Sequence, residues 1–145
     1  MNKIKERITS SPIETKEFAK ALAKATAPPK VLALYGGLGA GKTTFIQGLA
    51  KGLGIRGRVL SPTFIFIRPY KLSKGYKFYH VDLYRMISEK DAKSIGLTEI
   101  LGAKNAIVAV EWPEKIENLL PKGTVKIKLE ALSETKRQIS VVSPT

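Results

Sequence analysis

The feature that most constrains this chain is the glycine-rich stretch GGLGAGKTT, residues 36–44, with four glycines in its first six positions. An ordered glycine loses more backbone entropy than any other residue, so such a run is costly unless its conformation is needed. The stretch matches G-x-x-x-x-G-K-[ST] from Gly36 to Thr43, between an apolar run at 31–35 and a helical pattern at 42–54. These flanks favour a phosphate-binding loop over the alternative, a chance glycine turn.

A phosphate-binding loop predicts particular roles for the residues around it. The loop must point backbone N–H groups inward, and the N-terminus of the next helix adds positive potential. Lys42 is then expected to reach the β- and γ-phosphates, and the Thr43 hydroxyl is expected to bind Mg²⁺. The buried strand pattern NAIVAVEW, residues 105–112, places Glu111 where a second metal ligand is expected. A surface acid at a strand end is the alternative for Glu111.

Length and composition limit the class of protein. A chain of 145 residues that is 43% hydrophobic predicts one domain over 1–145 with a real core. No apolar run approaches the roughly 20 residues that span a bilayer, and the N-terminus shows no secretion signal, so we expect no membrane contact. The chain has no cysteine, which excludes disulfides and thiolate metal sites and fits a cytoplasmic protein.

The positive charge is concentrated in one stretch of the chain. The net charge is +13, and between Glu17 and Asp82 there is no acidic residue but there are eleven lysines and arginines. Such a field attracts polyanions such as nucleotides, RNA or an acidic protein surface. On charge alone, a solvated basic surface remains an equal alternative.

The hydrophobic patterns predict an α/β fold of the P-loop NTPase type, a three-layer sandwich with a mixed central sheet and antiparallel C-terminal strands. Buried strands are expected at 31–35 and 105–112, and a hairpin at 59–70 and 76–85. The remaining predicted elements are helices at 12–26, 42–54, 88–96 and 114–120, and alternating strands at 124–132 and 137–142.

Two further segments carry candidate residues. In SPTF, Thr63 lies on a segment that could close over a γ-phosphate and its metal, and a strand-start turn is the alternative. In HVDLYR, a strand places His80, Asp82 and Tyr84 on one face. Asp82 could orient an attacking water or hold the metal through water, and a surface ion pair with Arg85 or a lysine is the alternative. We interpret His80 as structural.

Missing motifs narrow the function. The chain has no N-K-x-D guanine reader, no LSGGQ-like stretch and no arginine-rich lid after the loop. These absences disfavour a common GTPase, a transporter ATPase and a small-molecule kinase. Two alternatives to an ATPase stay open: a basic RNA-binding module with a non-catalytic nucleotide site, and a small-molecule phosphotransferase.

In this order, the segments LYGGLGAGKTTF, SPTF, YHVDLYR and VEWPEK resemble the TsaE family, formerly called YjeE. These are small bacterial ATPases needed for threonylcarbamoyladenosine modification of tRNA. The resemblance implies ATP and Mg²⁺ as cofactors, with Thr43 and Glu111 as metal ligands and Asp82 and Thr63 in hydrolysis. The nucleotide contacts that it implies are Gly36, Gly37, Gly39, Ala40, Gly41, Lys42, Thr43, Thr44, Trp112, Arg137, Ser11 and Pro12.

The resemblance also implies partners. TsaB- and TsaD-like subunits transfer the threonylcarbamoyl group to adenosine 37 of tRNA, and ATP turnover by the docked ATPase resets the complex. The basic stretch 20–77 is then expected to face an acidic partner surface, tRNA or both. The chain departs from the family at Gly37, where Asp is usual, and at Arg137, which lacks the glycine that precedes the family's arginine.

Overall fold

The computed structural model describes residues 2–27, 30–57, 59, 66–86 and 88–144. The strands in this part of the chain are Asn2–Thr9 (β1), Lys30–Tyr35 (β2), Ile67–Lys71 (β3), Lys77–Asp82 (β4), Ala106–Glu111 (β5), Val125–Ala131 (β6) and Arg137–Pro144 (β7). The α-helices are Pro12–Lys24 (α1), Lys42–Gly52 (α2), Glu89–Ser94 (α3) and Leu97–Leu101 (α4). The 3₁₀ segments in the described ranges are Ser73–Gly75 and Pro113–Leu119.

The strands form one mixed sheet in the order β1-β7-β6-β2-β5-β4-β3. The central strand β2 is parallel to β5 and β6, and β5 is parallel to β4. The other three pairs, β3 with β4, β6 with β7 and β1 with β7, are antiparallel. The predicted mixed sheet, hairpin and antiparallel C-terminal pair are therefore confirmed, while residues 60–65 of the predicted hairpin lie outside the described residues.

Two apolar layers cover opposite faces of the central strands. Side chains alternate along a strand, and Leu32 packs in the layer with α1 and α2 while its neighbour Val31 packs in the layer with α3 and α4. In β5, Ile107 and Val108 divide in the same way. Because β2 and β5 are covered on both faces, their sequences are continuous apolar runs. The helices therefore pack on both faces of the sheet, as the predicted α/β class requires.

None of the helices in the described part of the chain combines the length and the apolar character that a membrane crossing requires.

The N-terminal strand β1 was not predicted. Side chains of the sequence NKIKERIT alternate between the two faces of the strand, but those on each face are polar or exposed. Ile4 is 65% exposed and Ile8 is 56% exposed. On the other face, Lys5 and Arg7 lie over the ring of Phe18 in α1. The strand exists because it pairs with β7 at the sheet edge, a contact between the two ends of the chain that a local pattern does not show.

Two helix predictions differ from the structure in detail. The segment 114–120, predicted as a short helix, forms the 3₁₀ segment Pro113–Leu119, which Ile116 interrupts at φ −134° and which ends before Leu120. The predicted helix at 88–96 ends at Ser94, and Gly96, at φ +84°, begins a second helix, α4, that was not predicted. This turn separates two short helices so that each faces the sheet.

The crossing of α1 and α2 predicts a large cost for a small substitution. A Cβ added at Gly48 would lie 2.4 Å from the carbonyl oxygen of Lys16 and 2.6 Å from its Cα, both backbone atoms of α1. The G48A variant must push the helices apart, so we expect a loss of about 1–3 kcal/mol in the free energy of unfolding. Urea denaturation of the wild type and the variant measures this difference.

The matched control is G102A in the C-cap of α4. Gly102 has φ −96°, which alanine adopts, and its nearest neighbour would lie 3.7 Å from the added Cβ. This variant is expected to be as stable as the wild type or slightly more stable. Equal stability of G48A and G102A would contradict the close crossing.

Candidate functional site

The glycine loop connects β2 to α2 at the carboxyl edge of the sheet. Gly39 and Gly41 have φ angles of +76° and +97°, a region that L side chains rarely adopt, and Gly41 is the N-cap of α2. The loop therefore needs glycine at these two positions. Its backbone N–H groups and the N-terminus of α2 lie together, which is the arrangement that binds phosphate.

A cavity of about 380 Å³ opens over this loop. It joins the loop, the first turn of α2, the carboxyl ends of β4 and β5, and the first residue of β7. Its lining residues are Leu38, Gly39, Ala40, Gly41, Lys42, Thr43, Thr44, Asp82, Tyr84, Glu111, Trp112 and Arg137. Ten of these twelve are site residues predicted from the sequence, drawn from four separate segments of the chain.

Lys42 is held inside the cavity by the loop and by a tryptophan. Its Nζ donates to the carbonyl oxygen of Gly36 at 2.5 Å and lies 3.4 Å from the centroid of the Trp112 ring. The residue is 5% exposed. Burial lowers the pKa of the Lys42 ammonium, and the nearby Glu111 carboxylate opposes that shift without cancelling it. The ammonium is thus poised beside the loop, on a ring face that attracts cations.

Trp112 reaches this position through an unusual backbone. Its φ of +60° is rare for a bulky residue, and Pro113 follows it directly. The turn brings the indole against Lys42 on one side and places its centroid 5.2 Å from that of the Tyr84 ring. The strained turn is therefore the local feature that places the indole over the cavity.

Glu111 ends β5 and faces two polar side chains. The Thr43 hydroxyl donates to its carboxylate, with Oγ1 3.3 Å from each oxygen, and Nε2 of His80 lies 2.7 Å from Oε2. Within the described ranges there is no cluster of three His, Cys, Asp or Glu side chains that could hold a metal by themselves. A hydroxyl beside one carboxylate instead fits Mg²⁺, which takes few protein ligands when phosphates supply the others.

Asp82 ends β4 directly opposite Glu111 in the parallel register. Its Oδ1 accepts a hydrogen bond of 3.0 Å from the backbone N–H of Tyr84, which shapes the turn after the strand. Lys115 fixes the same turn from outside, because its Nζ donates to the carbonyl oxygens of Tyr84 and Met86. The HVDLYR and VEWPEK segments are therefore locked together next to the loop.

Glu117 fixes the segment after Trp112 to the strand before the loop. Its carboxylate accepts from the Tyr35 hydroxyl at 2.9 Å and from Lys126 Nζ at 3.0 Å. Burial by itself would raise the pKa of Glu117, but the hydrogen bonds from Lys126 and Tyr35 leave it below its ordinary value. Burial and the Glu117 hydrogen bond both raise the pKa of Tyr35.

Arg137 contacts the loop from the start of β7. Its Nη2 donates to the carbonyl oxygen of Gly39 at 3.0 Å, and its Nη1 donates to the carbonyl oxygen of Ser133 at 2.8 Å. The guanidinium thus lies at the cavity without the preceding glycine that the family resemblance calls for. A planar group with several donors can bridge a loop carbonyl and a bound anion.

Among the described residues, four other predicted site residues do not line the cavity, namely Gly36, Gly37, Ser11 and Pro12. Gly36 packs against the backbone of Leu129, and a Cβ added at Gly37 would meet no atom within 4 Å. Ser11 caps α1 by accepting from the Glu14 N–H and does not line the cavity, while Pro12 lines a small adjoining pocket with Thr15, Thr44 and Arg137. Thr63 lies outside the described residues.

Sequence reasoning missed two residues that line the cavity. Tyr84 was expected on one strand face with His80 and Asp82, but β4 ends at Asp82 and Tyr84 reaches the cavity from the turn that follows. Leu38, 73% exposed, sits in the loop itself, and only its position within the motif could have indicated it.

Comparisons with known proteins find relatives over most of the chain. The family model described as "Threonylcarbamoyl adenosine biosynthesis protein TsaE" matches residues 9–139. A Bacillus subtilis protein named tRNA threonylcarbamoyladenosine biosynthesis protein TsaE is 41% identical over 140 residues, covering 97% of this chain and 85% of the relative. A Treponema pallidum protein of the same name is 35% identical, covering 92% and 97%.

A solved structure has the same fold. The crystal structure of Bacillus subtilis YdiB superposes with a TM-score of 0.80 at 36% identity, over 99% of this chain and 87% of that one. The matched region contains the glycine loop, the HVDLYR segment and the VEWPEK segment. The family model and the two relatives each cover most of the chain, and this chain therefore belongs to the TsaE family.

Proposed function

We propose that this chain is an Mg²⁺-dependent ATPase, formed by a single domain over 1–145, that supports threonylcarbamoyl modification of adenosine 37 in tRNA by acting on a TsaB/TsaD-like complex. The proposed ATPase activity rests on the cavity over the glycine loop, which is lined by Lys42, Thr43, Glu111 and Asp82. The pathway rests on family membership, because the matching family model and relatives are named for it.

In this proposal the loop and α2 bind the triphosphate. The backbone N–H groups around Gly39 and Gly41 surround the phosphates, and Lys42 exchanges the Gly36 carbonyl for phosphate oxygens. Thr43 and Glu111 would hold Mg²⁺, and the ion would supply positive charge against the negative charge that develops on the phosphates. Their oxygens already face each other at 3.3 Å.

Hydrolysis also needs a group that positions water. Asp82 lines the cavity next to Glu111, and the hydrogen bond from the Tyr84 N–H fixes its carboxylate, so it can orient an attacking water. We place Thr63 in a segment that closes over the γ-phosphate, as the family resemblance implies. Trp112 and Arg137 border the nucleotide, and Pro12, with Ser11 next to it in the chain, borders the adenine end.

The basic stretch provides a surface for a polyanionic partner. Its exposed members on α1, on α2 and the turn after it, and on the hairpin are Lys24, Lys51, Arg56, Arg68, Lys71, Lys74 and Lys77. These side chains lie outside the cavity and can face an acidic partner surface or tRNA. Association that depends on them is expected to weaken as salt rises.

The proposal is tested by ATP hydrolysis of the purified chain, alone and with the TsaB- and TsaD-like proteins of the same organism. We expect slow turnover alone, faster turnover with the partners, and a loss of about 10²-fold in the stimulated rate for D82N. The matched control, E99Q, changes an exposed acid on α4 and is expected to keep the wild-type rate.

Two results would contradict this function. Partners that leave hydrolysis unchanged would remove the accessory ATPase role. A second contradicting result would be that neither the wild type nor K42A hydrolyses ATP while K42A keeps a salt-sensitive RNA affinity. The chain would then be an RNA-binding module with a non-catalytic nucleotide site.

A further inference from the structure

His80 is the single histidine of the chain, and its side chain is fully buried at 0% exposure. Its Nε2 lies 2.7 Å from Oε2 of Glu111. Its Nδ1 is also buried and has no hydrogen-bond partner among the described residues. An unpaired buried nitrogen disfavours folding, and an apolar side chain would fill this site without that cost. The histidine therefore has a use that packing alone does not explain.

The register of the sheet shows what this imidazole reaches. In the parallel pair, His80 lies opposite Ala109, and Asp82 lies opposite Glu111. The His80 side chain therefore extends along the strands toward the carboxyl edge to meet a carboxylate two positions further on. This contact links the core of the sheet to the cavity.

Glu111 is held from two sides as a result. The Thr43 hydroxyl lies 3.3 Å from both carboxylate oxygens, whereas His80 contacts Oε2 alone. Glu111 is 4% exposed, so water offers it few alternative partners. Because the imidazole holds Oε2, the carboxylate cannot turn freely beside the Thr43 hydroxyl.

We propose that His80 is a positioning residue that donates from Nε2–H to Glu111 and sets the carboxylate orientation needed to hold the Mg²⁺ of a bound nucleotide. An ionised carboxylate only accepts hydrogen bonds, so this contact requires a hydrogen on Nε2. Residues that orient a metal ligand in this way affect metal affinity by about 10–100-fold. This inference rests on the proposed function, in which Glu111 is a metal ligand.

The test measures how strongly Mg²⁺ and nucleotide help each other to bind. The affinity for a fluorescent ADP analogue is measured in excess EDTA and at saturating Mg²⁺, and the ratio of the two dissociation constants is the coupling. H80L fills the buried site but cannot donate, and is expected to lower the coupling about tenfold or more while affinity in EDTA stays near wild type. H80Q carries an amide N–H near the Nε2 position and is expected to restore most of the coupling.

The matched control for packing is F78L. Phe78 is fully buried in the same strand, two positions before His80 and on the same face, and it makes an aromatic contact with Tyr70 instead of a contact with the cavity. F78L is expected to lose stability and keep the wild-type coupling. Wild-type coupling in H80L, or an equal loss in H80L and F78L, would overturn the positioning role.

A spectroscopic measurement tests the same inference without a substitution. Because the chain has one histidine, ¹⁵N-histidine labelling gives one imidazole. We expect a protonated Nε2, and a larger shift of its resonance when Mg²⁺ joins the ADP complex than when ADP binds in EDTA. An Nε2 resonance that Mg²⁺ does not move would overturn the inference. If the two dissociation constants of the wild type were equal, Mg²⁺ would not contribute to nucleotide binding, and the metal site and the proposed function would both be wrong.

Discussion

Replacing Glu111 by glutamine is expected to reduce partner-stimulated ATP turnover by about 10²-fold or more, because the cavity loses the carboxylate beside the Thr43 hydroxyl. The substitution keeps the side-chain volume at a position that is 4% exposed, so the fold should persist. The amide oxygen can still accept from His80, which preserves the buried contact. Steady-state hydrolysis over a range of Mg²⁺ concentrations measures the effect.

The control for Glu111 is E130Q on β6. Glu130 is an exposed strand residue that does not line the cavity over the glycine loop, and the same chemical change there is expected to leave turnover unaltered. If E111Q retained the wild-type rate and Mg²⁺ dependence, the metal would have to be held elsewhere.

Replacing Lys42 by methionine is expected to weaken nucleotide binding about ten- to a hundredfold, the range for losing a hydrogen bond to a charged group. Methionine keeps an unbranched chain that can lie on the Trp112 ring, so the change removes the ammonium and little packing. Trp112 is the single tryptophan of the chain and its ring centroid lies 3.4 Å from Lys42 Nζ, so its emission can report binding.

The matched variant for Lys42 is K51M in the same helix. Lys51 is exposed in the last turn of α2, away from the loop, and its replacement is expected to leave nucleotide affinity within about twofold. Equal affinities for K42M and the wild type would contradict the role of Lys42 at the phosphates.

The loop and its flanking elements could be predicted because their signals are local. Glycines at fixed spacing, an apolar run before them and a helical pattern after them indicate one arrangement, and the structure has it from Lys30 to Gly52. Glu111 could be placed for the same reason, since a buried run of strand length ends at that residue.

The contacts between segments could not be predicted in this way. The approach of His80 to Glu111 depends on the parallel register of β4 and β5, and β1 depends on β7 at the far end of the chain. The turn at Trp112, with φ of +60°, goes against the preference of a bulky residue and arises where the segments pack together. The role of Thr63 stays a prediction, since it lies outside the described residues.

The central claim is that the loop and the two strand ends form one site for ATP with Mg²⁺. A crystal structure of the chain with Mg²⁺ and a non-hydrolysable ATP analogue tests it most directly. The account predicts a triphosphate against the backbone of Gly39 to Thr44, with the metal bound by Thr43 Oγ1 and the Glu111 carboxylate. A nucleotide bound outside the cavity, or a metal that neither residue contacts, would contradict it.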